Sequence, residues 1–363
     1  MSQTVLVAGS TGMVGSNLSR CLVDKGWRVM TLALEDVETE GADRHVALDL
    51  TDRDATLSTL GKLPDIDSLF YCTWSPQPTE AENCVVNRVM IRNALDGLAN
   101  SSLSHVALVT GLKHYLGSFE AYATGLPYTP FQEDQPRLPG PNFYYDQEDE
   151  LFDAAERWGF SWSVHRPHTL VGHALGNAMN MGVTLAVYAS ICREKEHPFV
   201  FPGSAAQYSA VTDITDARLL ADHLAWAATE PLAADTAFNV ANGDLFRWER
   251  MWSRIAGYFG LTPAPLPEQP RPLAHQMAKA DAVWKDIVDK HELAPHSATR
   301  LTSWWHTDAD LGREIECFTD MRNSRERGFL RWQRSEASFF DLFDRLIEEH
   351  VIPDFRSDWA RLR

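Results

Sequence analysis

Along the first half of the chain, short runs of consecutive apolar, often β-branched residues alternate with longer stretches in which apolar positions recur every three or four residues. The runs TVLVAG, RVMTLAL and SLFYCTW, between Thr4 and Trp74, have the length and unbroken apolar character of strands buried on both faces. The stretches between them have helical spacing, so the alternation predicts parallel strands joined by crossover helices. The series continues through an amphipathic stretch from Ala81 to Leu98, the run HVALVT, a helix following Tyr145 and the strand SWSVHRP.

The pattern changes after Pro167. A helix is expected from Gly182 to Arg193, followed by PFVFPGS and by a strand-to-helix stretch from Val211 to Trp226 that should rejoin the sheet. Beyond Asn242 the strand signal fades, and helical spacing dominates a segment that holds seven of the chain's twelve tryptophans. The piece LTPAPLPEQPRPL reads as a surface connector. The expected division is therefore a doubly wound α/β domain over 1–172, returning to its sheet at 211–242, and a mostly helical substrate lobe over 173–210 and 243–363.

Charge narrows the range of partners. The net charge of −17 comes from 50 acidic against 33 basic residues, without a basic block that could neutralise phosphates, which argues against nucleic acid. No apolar run approaches a membrane span and the N-terminus enters a strand pattern at once, so a cytoplasmic protein without membrane contact is expected. The five cysteines are widely spaced and suggest no metal site. Cys84 reads more readily as a small apolar filler than as a nucleophile.

The segment Gly9-Ser-Thr11-Gly12-Met13-Val14-Gly15 directly follows the first strand and opens the first helix. Glycines at these positions permit a tight turn, let pyrophosphate oxygens reach backbone N–H groups, and allow close helix–strand packing. This predicts a Rossmann-type dinucleotide site to which Thr11, Met13 and Val14 also contribute. At the end of the second strand Glu35 stands about twenty residues past Gly15, where an acid can accept hydrogen bonds from a ribose 2′-hydroxyl; a solvated loop carboxylate is the alternative. Asp49, followed by Leu50, stands where an acid beside the adenine amino group is expected, or else caps a helix.

In many short-chain dehydrogenases a tyrosine is followed four residues later by a lysine that grips the nicotinamide ribose. Here Glu148 and Asp149 occupy the offsets from Tyr144 and Tyr145, but TGLKHYLG offers Lys113 just past HVALVT. The ordered segments TGLKHYLG, PNFYYDQEDELF, WSVHRP, FPGS and AFNVANGDLFRW resemble the motif series of the progesterone 5β-reductase/iridoid synthase-like family over nearly the whole chain. The resemblance implies 1,4-reduction of an enone or enal by NADH or NADPH, with Tyr145 stabilising the enolate and Lys113 assisting. It also implies that Thr73, Trp74 and Phe119 line the cleft, that Pro167 ends the strand beneath the nicotinamide, and that the protein forms a homodimer. His114 and His165 are weighed as acid/base groups, with a satisfied buried histidine the simpler reading of His165.

Two positions depart from the family pattern. Plant-type members carry an arginine pair for the 2′-phosphate where this chain has Leu34 and Glu35, which inclines the reading towards NADH despite the family's NADPH habit. After the Trp304-Trp305 pair the chain has His306 in place of an aromatic residue, so His306 is a candidate substrate contact for a more polar ligand, or else a solvated or capping side chain. A carbonyl reductase or epimerase on the same fold, or a non-catalytic dinucleotide sensor, remain the alternatives.

Overall fold

The computed structural model describes residues 3–37, 39–117, 128–177 and 179–362. The chain divides into two compact units. The first comprises Met1–His168, Ala217–Ala241 and Thr319–Arg331; the second comprises Thr169–Asp216, Asn242–Phe318 and Trp332–Arg363. This differs from the expected division: residues 169–172, 211–216 and 242, expected in the α/β domain, belong to the second unit, and Thr319–Arg331, expected in the lobe, belongs to the first.

The strands are β1 (Thr4–Ala8), β2 (Arg28–Ala33), β3 (Arg44–Ala47), β4 (Ser68–Tyr71), β5 (His105–Val109), β6 (Ser161–Pro167), β7 (Leu170–Val171), β8 (Thr215–Asp216) and β9 (Thr236–Val240). Seven of them form the sheet of the first unit in the order β3-β2-β1-β4-β5-β6-β9, every neighbouring pair parallel. The helices between them are α1 (Met13–Asp24), α2 (Arg53–Leu60), α3 (Glu80–Gly97), the short α4 (Lys113–Leu116) and α5 (Phe143–Trp158).

Alternate strand residues serve the two faces, which is why the strands read as continuous apolar runs. Leu6, Leu69, Val106 and Val164 share one core with Ile91, Ala94 and Leu95 of α3 and Leu151 and Ala154 of α5. On the other face α1 packs beside the helix Ala217–Ala227. The start of α3 is set by a capping box: Thr79 Oγ1 accepts from Glu82 N at 3.2 Å while Glu82 Oε2 accepts from Thr79 N at 3.1 Å. Such a cap contributes about 1 kcal/mol.

The second unit is built around the helix Met181–Glu194, which is buried from Met181 through Cys192 and is therefore apolar on all sides. It shares a core with Trp252, Trp284, Phe339 and Phe343, and Phe199 stacks on Trp252 at 4.2 Å between centroids. Here Leu170–Val171 and Thr215–Asp216 pair as a separate two-stranded parallel ribbon. That pairing takes the strand expected near Val211 out of the main sheet, whose outer strand is instead β9. No helix among the described residues is long and apolar enough to cross a membrane.

Candidate active site

Strand order in the first unit runs outward in both directions from β1, so the sheet has its switch point between β1 and β4. Ligands of open α/β sheets bind outside the carboxyl ends of the strands at such a point. Gly9, at the end of β1, has φ +87°, and a Cβ there would lie 2.7 Å from the Cys72 carbonyl oxygen and 2.8 Å from Thr73 Cβ, at the end of β4. A Cβ on Gly15 would fall on the Gly9 carbonyl, well inside van der Waals contact. Gly12 serves as N-cap of α1 without a side chain to cover the first turn. The loop thus forms a cradle that only glycine fits, with a helix N-terminus behind it, and a dinucleotide pyrophosphate suits it. Gly15→Ala is expected to push α1 off the β1 loop and weaken dinucleotide binding at least about tenfold, measured by titrating nicotinamide fluorescence; unchanged affinity would show that the loop does not hold the pyrophosphate.

The other expected nucleotide residues divide between the cradle and the core. Glu35 Oε2 accepts from Thr11 Oγ1 at 3.2 Å, so the carboxylate does stand over the glycine loop. Asp49 is exposed and accepts from both Thr51 N at 2.8 Å and Thr51 Oγ1 at 2.7 Å. It does not cap a helix; α2 is capped by Asp52, which accepts from Ala55 N at 3.0 Å. Leu50 turns its side chain into the core beneath α3, and its carbonyl accepts from Asn93 Nδ2 at 2.9 Å. Met13 and Val14 are buried in the first turn of α1.

Beyond the cradle, the ends of β4, β5 and β6 carry the candidate chemistry. Lys113 opens α4 just past β5, and its Nζ donates to Glu80 Oε2 at 2.8 Å. The ammonium lies 4.6 Å from the Phe143 ring centroid and 5.9 Å from that of Tyr144. Phe143 in turn stacks on Trp74 at 5.2 Å. Asn142 fixes α5 to α4: its Oδ1 accepts from Tyr144 N at 3.1 Å, and its Nδ2 donates to the Lys113 carbonyl at 2.8 Å.

The two tyrosines part company here. A Cβ built on Gly111 would lie 3.4 Å from the Tyr144 hydroxyl and 3.4 Å from the Pro167 carbonyl oxygen, so that hydroxyl stands at the ends of β5 and β6. Burial, and secondarily the Glu80 charge, push its pKa up, so it stays protonated and able to donate. Tyr145 was expected to be the donor, but its hydroxyl donates to the His114 carbonyl at 2.6 Å and accepts from Leu138 N at 3.0 Å, with Arg137 4.9 Å from its ring centroid. Consecutive helix residues point about 100° apart. Tyr145 is therefore turned into the packing between α4 and the segment around Leu138, while Tyr144 faces Gly111.

His165 is fully buried, with Nε2 2.8 Å from Ser163 Oγ and Nδ1 3.0 Å from His223 Nδ1, a satisfied core histidine. His114 has its Nε2 3.2 Å from the Gln135 carbonyl and its pKa pushed down to about 3, by burial first and then by Arg166, so it is neutral near pH 7. All five cysteines are free. Burial, chiefly, pushes the thiols of Cys21, Cys84 and Cys192 up to about 12 and that of Cys72 higher still. Phe119 lies outside the described residues. His306 belongs to the second unit, on the helix Trp304–Leu311. It is neither solvated nor a cap but buried, with Nε2 3.8 Å from Asp310 and its Nδ1 without a hydrogen bond. Glu80, Asn142 and Tyr144 were not singled out from sequence. The advance signals were the NFYY segment, which holds Asn142 and Tyr144, and the T-x-x-E capping box that starts α3 beside Glu80.

Residues 33–304 match the PRISE-like Rossmann-fold domain family. The chain is 37% identical over 363 aligned residues to an (S)-8-oxocitronellyl enol synthase of Camptotheca acuminata, covering 96% of this chain and 93% of that one. It is 35% identical to a 3-oxo-Delta(4,5)-steroid 5-beta-reductase of Arabidopsis thaliana, covering 96% of this chain and 92% of the relative. Among solved structures, a UDP-glucose 4-epimerase of Thermotoga maritima superposes with a TM-score of 0.69 at 13% identity, covering 96% of this chain and all of the other. The last likeness is one of fold. The first three, together with the glycine cradle and the TGLKHY and NFYY segments, place the chain in the progesterone 5β-reductase/iridoid synthase-like (PRISE) family.

Proposed function

We propose that this protein reduces the activated C=C bond of a small enone or enal by 1,4-addition, using a nicotinamide dinucleotide held by the glycine cradle. The observation that carries the reading is the Tyr144 hydroxyl at the ends of β5 and β6, with the Lys113 ammonium beside its ring and the cradle on the same carboxyl edge of the sheet. A reduced nicotinamide dinucleotide, its pyrophosphate held by the Gly9–Gly15 loop, would supply the hydride for the alkene β-carbon. Tyr144, protonated and fixed by the Asn142 cap, donates a hydrogen bond to the carbonyl oxygen as enolate charge develops there; such a preorganised donor is worth about 3–4 kcal/mol of barrier. Lys113 adds positive charge behind that donor. The α-carbon then takes its proton from solvent. Tyr145 holds α4 to the neighbouring segment, and the role expected for it passes to Tyr144.

The test is oxidation of NADH and NADPH by the purified protein with 2-cyclohexen-1-one, a steroid enone and an enal, each paired with its saturated carbonyl counterpart. Turnover confined to the conjugated compounds, with the saturated carbonyl recovered, supports the reading. Turnover of the saturated ketones would replace it with carbonyl reduction, and turnover of none with a binding role.

Glu35 favours NADH within this reading, because a carboxylate held over the cradle by Thr11 accepts from a 2′-hydroxyl and repels a 2′-phosphate. Glu35→Arg is expected to shift the NADPH/NADH ratio of kcat/KM upward by about ten- to a hundredfold, through loss of repulsion and gain of a phosphate partner. A ratio unchanged by the substitution would mean that the carboxylate does not face the ribose.

A further inference from the structure

We propose that Glu80 is a positioning residue: its carboxylate holds the Lys113 ammonium against the first turn of α5 and so aims that charge at the Tyr144 hydroxyl. The proposal rests on the assignment of Tyr144 and Lys113 as the acting pair. Glu80 is the first residue of α3, and both of its oxygens are engaged. Oε2 accepts from Lys113 Nζ at 2.8 Å and from Asn83 Nδ2 at 3.3 Å; Oε1 accepts from Phe143 N, the first N–H of α5, at 3.1 Å. One side chain thus ties together the starts of α3, α4 and α5, the three elements that follow β4, β5 and the segment before β6.

Burial shows what this arrangement costs and why local folding does not account for it. The Lys113 and Glu80 side chains are 6% and 11% exposed. Withdrawing both charges from water is unfavourable unless hydrogen bonds satisfy the remaining lone pairs, as they do here. The fold does not need Glu80 to begin α3, since Thr79 and Glu82 already cap that helix reciprocally. Nor does it need Glu80 to begin α5, which Asn142 caps. What Glu80 adds is a fixed direction for the ammonium. Ring faces such as those of Phe143 and Tyr144, 4.6 and 5.9 Å from the ammonium, give a lysine attraction but little directional constraint. The same carboxylate also helps to keep the Tyr144 hydroxyl protonated.

Glu80→Gln keeps the shape and an acceptor for Phe143 N but removes the charge that holds Lys113. The experiment compares wild type, Glu80→Gln, Glu80→Asp, Lys113→Met and the Glu80→Gln/Lys113→Met double variant as full-length proteins, by steady-state and single-turnover reduction of 2-cyclohexen-1-one. Thermal unfolding and dinucleotide affinity are followed alongside. Glu80→Gln is expected to lower kcat by up to about 10²-fold, the cost of a misplaced catalytic group, with KM and dinucleotide affinity nearly unchanged. Glu80→Asp should recover part of the loss, and the double variant should be no slower than Lys113→Met because Glu80 acts through Lys113. Wild-type turnover of Glu80→Gln beside a slow Lys113→Met, or losses that multiply in the double variant, would overturn the positioning role. Wild-type turnover of Lys113→Met would instead remove the assignment on which the role rests. Should Glu80→Gln fail to fold, Glu80→Asp, one methylene short, carries the same kcat-against-KM comparison.

Discussion

Tyr144→Phe is expected to lower turnover of conjugated substrates by about 10²–10⁴-fold, the range in which a positioned donor or acid contributes. Dinucleotide affinity should hold within a few-fold, because the hydroxyl acts on the reacting oxygen and not on the pyrophosphate cradle. Tyr145→Phe is the paired control. Its hydroxyl bridges the buried His114 carbonyl and the more exposed Leu138 N, so its removal leaves the His114 carbonyl without that partner. The expected cost is about 1–3 kcal/mol of stability with kcat within a few-fold of wild type. Steady-state kinetics and thermal unfolding of the two variants separate these effects. The reverse result, an inactive Tyr145→Phe beside a competent Tyr144→Phe, would return the donor role to Tyr145.

The second large effect is on stability in acid. His105, His165 and His223 are buried in one hydrogen-bonded chain that runs from Ser161 Oγ through His105, Ser163, His165 and His223 to Ser324 Oγ, with links of 2.8–3.0 Å. A neutral imidazole donates with one nitrogen and accepts with the other, so an added proton reverses at least one link of the chain and places a charge among buried groups. Burial pushes His105 down to about 4 and His223 to about 3, and burial with the two neighbouring histidines pushes His165 well below its ordinary value. The folded state therefore binds fewer protons than the unfolded chain, whose histidines titrate near 6.5. Stability from these groups is complete above pH 6.5 and falls as pH drops towards 4. At pH 4.5 His105 and His223 each cost roughly 2–3 kcal/mol and His165 acts in the same direction, a large share of the roughly 5–15 kcal/mol that holds a typical domain. Urea unfolding followed by far-UV circular dichroism should show the midpoint falling steeply from pH 6.5 to 4.5. A midpoint flat over that interval would mean that the chain opens to solvent or carries a proton in the native state.

How much of this was legible in the sequence follows from which interactions are local. β1, β2, β4 and β5 were readable because strands buried on both faces are largely apolar runs. Gly9 and Gly15 were readable because their reason, backbone approach, leaves no substitute. Thr215–Asp216 was misassigned because a two-residue parallel pairing with Leu170–Val171 has no periodic signature. Adjacency makes Tyr144 and Tyr145 alike in the sequence: both lie in the first turn of α5, and only the helix phase set by the Asn142 cap decides which faces Gly111. Glu80 was missed because its partners Lys113 and Phe143 lie 33 and 63 residues away. Asp49 is no helix cap: one of its carboxylate oxygens accepts from Thr51 two residues on, and Asp52 caps α2.

The protonated thiols bear on the proposed chemistry from an unexpected side. Activated alkenes are electrophiles, and the species that adds to them is the thiolate rather than the thiol. With Cys21, Cys84 and Cys192 held up to about 12 and Cys72 higher, the thiolate fraction at these positions near pH 7 is very small. Cys84 is the telling case, because it lies on α3 one turn beyond Glu80, and Asp146 adds to the effect of burial in keeping its proton. At these four positions the form of the side chain that would add to a Michael acceptor is scarce, which guards those thiols against the class of compound the protein is proposed to reduce.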